Sequence, residues 1–255
     1  IDSSTREKLI SEDPKSEELI KPFIFGRNIK KYQPLINEKY LVLIPNGWTN
    51  NHLSTSNRDG WKWLKTNYTA IAEHLLPFTE AGQKRCDQGE YWWELRPCIY
   101  YEKFEKPKII YPEIADRGQF ALSNEVLYGD TTVYIIAMDS KYLLGILNSK
   151  LCNFLFSNIS SEIRGGFYRW KRQYMSSLPI RQINFSNSTD KIKHDQIVEL
   201  VNRMLLSNKK LSSARTPQEK NLIQRQIEMM DRQINQLIYE LYDLTAEEIK
   251  IIESE

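Results

Sequence analysis

The stretch from Ile223 to Leu244 constrains the fold of this chain more than any other. Ile223, Ile227, Met230, Ile234, Leu237, Leu241 and Leu244 alternate steps of four and three residues, the period that keeps one helical stripe against a partner helix. The preceding segment supplies that partner. Ile197, Val201, Met204 and Leu211 follow the same spacing, with Asn208 in the remaining seam position. Between them, "TPQE" puts Thr216 at the N-cap, Pro217 at the first helical position and Glu219 where a capping box wants it. A turn this short makes an antiparallel helical hairpin. "TAEE" repeats the cap at Thr245 and Glu248 and starts a last short helix.

Ahead of the polar break "NFSNSTD" the chain mixes strands and helices. "KYLVLIP" (39–45), "KPKIIYPEI" (106–114), "GQFALS" (118–123) and "TTVYIIAM" (131–138) are short apolar or alternating runs, rich in β-branched and aromatic residues and bounded by turn formers. Each reads as a strand. "KTNYTAIAEHLLPFTEAGQKR" reads as a helix kinked or reopened at Pro77. "DSKYLLGILNSKLCNFLFSNIS" (139–160) reads as a helix capped by Asp139 or Ser140, and "SLPI" as a short returning strand. The fold class is therefore a mixed α/β (α+β) domain over about 19–185, followed by the helical hairpin over 186–255, with a polar segment at 1–18.

Several chemistries find no support in the residues. The sparse cysteines Cys86, Cys98 and Cys152 form no C-x-x-C pair and suit a reducing compartment. His52, His74 and His194 lie in no metal-binding context. No apolar run is long enough for a membrane span, and "IDSSTREKLISEDPKSEELIK" is charged where a signal peptide would be apolar, so the expectation is cytoplasm. Glycine-rich phosphate cradles and a nucleophile elbow are absent. Glu90, Glu94, Glu113 and Asp116 could be assembled on paper into a nuclease-like metal site, but no ligand spacing supports it.

Charge distribution says more than its sum of +2. Both ends are acidic, and residues 21–211 carry a net +9, as a region facing a polyanion would. Within it, "IRGGFYRWKRQYMSSLPIR" (163–181) has Arg164, Arg169, Lys171, Arg172 and Arg181 with no acid among them. Arginine and lysine neutralise phosphates, and arginine can address a guanine edge. Phe167, Tyr168, Trp170 and Tyr174 can stack on bases, while Gly165 and Gly166 allow close backbone approach. The other reading packs Phe167, Tyr168 and Trp170 into the core and leaves the charges to water; the regional charge favours binding. "FGRNIKKY" (25–32) adds Arg27, Lys30 and Lys31, as phosphate contacts or as a solvated turn. In "GEYWWELR", read as a strand, consecutive aromatics would divide between core and contact surface.

The order of these motifs resembles the C-terminal specificity region of Taq-type adenine-specific DNA methyltransferases and of fused type IIG restriction-modification enzymes. "LIKPFIFGRNIKKY", "LLPFTEAGQKR", "YWWELRP", "KPKIIYPEI", "YLLGILNSKLCNFLF", "RGGFYRWKRQYMSSLPI" and "INQLIYELYDLTAEEI" carry the likeness from about residue 19 to 251. It implies a target recognition domain for double-stranded DNA, with Arg164, Gly165, Gly166, Tyr168, Arg169, Trp170, Lys171, Arg172, Tyr174, Arg27, Lys30 and Lys31 facing the duplex. In that family a separate domain of the same polypeptide binds S-adenosylmethionine and carries an N-P-P-Y-type motif, with Mg where a nuclease is fused. This chain has neither the motif nor a glycine-rich cofactor loop. The resemblance implies a recognition fragment of a bacterial or archaeal enzyme, without a catalytic centre, residues 1–18 being a linker from the catalytic domain. A type I specificity subunit and a helical protein-interaction module are the rival readings.

Overall fold

β-branched and aromatic runs become strands here only where a neighbouring run can complete their hydrogen bonds, and each sheet stays small. The computed structural model describes residues 1–54 and 59–254. Its strands are β1 (Ile20–Ile24), β2 (Lys39–Val42), β3 (Lys108–Pro112), β4 (Ile114–Ala115), β5 (Ala121–Ser123), β6 (Tyr128–Gly129), β7 (Val133–Ile136), β8 (Glu162–Ile163) and β9 (Phe167–Arg169). They form three three-stranded sheets, ordered β2-β1-β6, β5-β3-β7 and β4-β9-β8. The four strand runs read from the sequence are all present, each shorter than its run at one or both ends.

The chain divides into two compact units, each assembled from separate stretches. The first comprises Ile1–Ile24, Asn37–Lys106 and Glu125–Tyr128. Its start is helical: α1 (Ser3–Glu12) is capped by the Asp2 carboxylate, which accepts from Thr5 N at 2.9 Å. Leu9 and Leu19 then join a core with Ile20, Ile44, Leu64 and Ile71. Residues 1–18, expected as a polar linker, are instead folded, because their few apolar side chains find this core. The helices α2 (Trp48–His52), α3 (Gly60–Asn67), α4 (Thr69–Leu75) and α5 (Thr79–Gln83) follow, and the expected break at Pro77 is a 3-10 turn over Leu76–Phe78. "YWWELR" is a run of bends and turns ending in a single bridge from Leu95 to Gln88, and not a strand. The fully buried Glu94 carboxylate accepts the backbone N–H groups of Gly47, Thr49 and Glu90, which curls this segment around it.

The second unit comprises Phe25–Ile36, Pro107–Asn124 and Gly129–Glu255. The expected helix over 139–160 is two: α6 (Lys141–Leu147), capped by Ser140, and α7 (Lys150–Ile159), capped by Ser149. Asn148 breaks them because its amide pairs with both backbone groups of Phe120, at 3.1 and 2.9 Å. A short helix, α8 (Arg172–Met175), precedes the long pair α9 (Ser188–Ser213) and α10 (Pro217–Leu241), and α11 (Ala246–Ser254) ends the chain. Thr216 and Thr245 cap as the sequence predicts, accepting from Glu219 N and Glu248 N.

The two long helices pack together as a hairpin, and their seam continues into the core of the unit. Ile197, Val201, Met204, Met230, Ile234 and Ile238 share one apolar cluster with Leu144, Leu147, Phe156 and Trp170. A side chain at Gly145 would press on Ile197 and Val201, so glycine lets α6 lie close against α9. "SLPI" is not a strand: the Tyr242 hydroxyl, at the end of α10, donates to Pro179 O and accepts from Arg181 N. Among the described residues the segment joins none of the three sheets.

Candidate nucleic-acid interface

The basic stretch at 163–175 is an ordered β-hairpin followed by one helical turn. β8 and β9 pair antiparallel, with Glu162 opposite Tyr168 and Ile163 opposite Phe167. Arg164, Gly165 and Gly166 make the connection, with φ of 91° and 77° at the two glycines. These are left-handed values that other residues adopt only at a cost of ~1 kcal/mol or more. The other edge of β9 pairs with β4, Ile114 opposite Arg169 and Ala115 opposite Tyr168. Both edges of β9 are thus hydrogen-bonded, which fixes the direction of every side chain along it.

Strand alternation sorts the residues. Trp170 points inward and is 2% exposed. Its ring stacks on Phe156 at 3.8 Å with an interplanar angle of 3°, meets Phe120 edge-on at 5.4 Å, and donates Nε1–H to Ala115 O. The expectation that Trp170 packs on DNA is therefore corrected: it is a core residue, the second of the two readings its sequence allowed. Tyr168, also inward, is half-buried and set edge-on to Phe156. It lines a groove of about 640 Å³ together with Arg117, Lys150, Asn153 and Ser157. Tyr174 on α8 meets the same Phe156 edge-on, and side-chain hydrogen bonds with Ser161 and Gln173 lower the pKa of its hydroxyl.

The alternate positions face out. Phe167 and Arg169 are exposed and Lys171 is half-exposed. Arg169 Nη1 lies 3.1 Å and Lys171 Nζ 3.6 Å from the same oxygen, Glu113 Oε1. Arg164 at the hairpin tip and Arg172 on α8 are exposed, and among the described residues neither has a carboxylate partner. Glu113 escaped the sequence as a partner of these cations, since it lies 56 residues from Arg169. The inward and outward sorting of "FYRWK" was visible in principle as a period of two behind a Gly-Gly turn.

The second basic cluster reaches the same place along a chain of hydrogen bonds. Gly26 N donates to Thr132 Oγ1, Glu113 N donates to Thr132 O, and Trp170 N donates to Glu113 O. Arg27, exposed, lies over the Phe25 ring at 4.9 Å, and Lys30 is exposed. Lys31 is turned the other way: Nζ is 2.6 Å from Asp231 Oδ1 on α10. It ties the 25–32 turn to the helical hairpin.

The remaining candidates separate. Tyr91, Trp92 and Trp93 pack within the first unit against Trp61, Asn50 and Thr49. Glu90 and Glu94 belong to that unit, whereas Glu113 and Asp116 belong to the other. Among the described residues no three His, Cys, Asp or Glu side chains gather where a metal could be held, and no helix is long and apolar enough to cross a membrane.

Comparison with known proteins adds the family. No curated protein matches the chain in sequence. Among solved structures it is similar to the type IIL restriction-modification enzyme MmeI, determined in complex with DNA, with a TM-score of 0.63 at 12% identity. That match covers 96% of this chain and 31% of the enzyme, so the chain spans about a third of its length. Residues 21–180 match the model of the TaqI-like C-terminal specificity domain. They hold the basic β-hairpin and most of the strands, and they make this chain a member of the TaqI-like C-terminal specificity domain family.

Proposed function

We propose that the chain is the double-stranded DNA recognition module of a restriction-modification enzyme. One observation carries the reading: Arg164 and Arg169 on the hairpin and Lys171 and Arg172 just after it are open to solvent, while the intervening Tyr168 and Trp170 pack against Phe156. A rigid cationic row suits a polyanion, because each phosphate it neutralises releases counterions and the row costs little entropy to order. Phosphate contacts from Arg27, Lys30 and Arg172 would set the register, and the hairpin tip would address base edges. The likeness to MmeI and the specificity-domain family supports the reading.

The finer reading is an adenine-N6 DNA methyltransferase of the type IIG kind. A methyltransferase domain of the same polypeptide would bind S-adenosylmethionine and flip the target adenine, and Mg would serve a fused nuclease in the cytoplasm. Neither group is assigned to this chain's residues, which offer no gathered ligand set among those described and no glycine-rich cofactor loop. The test is a titration of the purified chain with duplex DNA at several salt concentrations. Binding that weakens steeply with salt, and that falls at least tenfold in the Arg169→Ala, Arg172→Ala double variant with folding intact, supports the reading. Affinity that ignores both salt and the double substitution refutes it.

A further inference from the structure

We propose that Glu113 is a positioning residue of this surface. It holds Arg169 and Lys171 in fixed, partly neutralised poses and so restrains sequence-independent attachment to phosphates. The inference rests on the DNA-binding reading above.

Glu113 follows the end of β3, and its backbone is fixed on both sides, its N–H to Thr132 O and its carbonyl to Trp170 N, each at 2.7 Å. Trp170 is locked in turn by its stack on Phe156. Arg169 and Lys171 flank Trp170, so strand alternation sends both to one side, where they meet a single carboxylate oxygen. The carboxylate is sheltered at 17% exposure, while the two cations are open at 46% and 39%. The acid therefore lies beneath its partners.

Such an ion pair, with its cations exposed to water, adds little to stability, so folding does not require it. Its consequences are electrostatic and geometric. Two cations over one anion present about half the charge of two free ones. A guanidinium with one nitrogen turned to Glu113 keeps its remaining N–H groups in a defined direction, as recognition of a base edge or a particular phosphate needs. Released from Glu113, both side chains would be mobile point charges that suit any phosphate.

The experiment measures binding of the purified chain to a random-sequence duplex as a function of salt. In Glu113→Gln the slope of log affinity against log salt is expected to steepen by about 0.9 for each cation passed to a phosphate, hence by about one to two in all. Asp139→Asn makes the same charge change at an exposed acid of the same unit that has no ion pair among the described residues, and is expected to leave the slope as it is. The gain from Glu113→Gln is expected to vanish when Arg169 and Lys171 are both alanine. Glu113→Asp, which keeps the charge and withdraws it by one methylene, should fall between wild type and Gln, and it carries the test if the Gln variant does not fold. An unchanged slope, an equal rise in Asp139→Asn, or a gain that persists without the two cations overturns the proposal. Loss of all salt-dependent binding in the unaltered chain would instead sink the DNA reading itself.

Discussion

Trp170 shows how one side chain can be misassigned by its neighbours in sequence and assigned by its neighbours in space. Flanked by Arg169 and Lys171, it looks like a stacking residue, yet it lies face to face with Phe156 beneath the hairpin. Trp170→Ala is expected to cost ~3–5 kcal/mol of folding free energy, the range for truncating a large buried aromatic. The comparable truncation of exposed Arg172 should stay within ~0.5 kcal/mol. Chemical denaturation of both variants checks this; equal, small losses would mean that Trp170 is not packed as described. The sequence held both readings of this residue open, because alternation decides between them only once β9 is known to be a strand with two paired edges. Glu113 was less legible still. Nothing local marks a carboxylate that meets its cations across a sheet, and it stood among the acids weighed for a metal.

At the scale of elements, the helical hairpin was the most legible part, since a seam repeated over seven positions and a capping box at the turn between the helices leave few alternatives. The break between α6 and α7 was not, because its cause is the amide of Asn148 on the backbone of Phe120, 28 residues away. Asn235 makes a similar long connection: from α10 it accepts the N–H of Lys150, at the start of α7, at 2.8 Å. That bond binds the hairpin to the helix on which Trp170 stacks. Asn208, by contrast, donates to Met204 O, one turn back in its own helix, at 2.9 Å. It is 6% exposed in the seam. Asn208→Leu is therefore expected to stabilise the protein by ~1 kcal/mol, seen as a rise of about 2–4 °C in the melting midpoint. A fall would show that the amide keeps the two helices in register at a cost the seam must bear.

For the whole molecule, the two units are interleaved along the chain, so boundaries drawn in sequence order do not coincide with compact pieces. The polar start belongs to one core, and the C-terminal hairpin closes the other. Global stability also carries a pH signature. Lys108, at the start of β3, is fully buried, and burial lowers its ammonium to about 8 from 10.5. Between those values the unfolded chain holds a proton that the folded chain lacks, so this group makes stability rise with pH across that window, by ~3 kcal/mol in all. Buried tyrosines such as Tyr111, whose hydroxyls are pushed above their ordinary value, act oppositely and only above pH ~10. Unfolding free energies of wild type and Lys108→Met, measured from pH 7 to 10, should differ by a rise present only in the wild type. Parallel curves would remove Lys108 as the source.

The alternation along β9 also bears on how recognition could change over generations. Inward positions 168 and 170 pack against Phe156, whereas outward positions 167, 169 and 171 support the fold little. On the DNA-binding reading proposed above, substitutions at the outward set would alter what the surface prefers without endangering the scaffold that presents it. New specificities would then be reached by single steps through folded, functional intermediates, with tolerance to change rising and falling at every second residue.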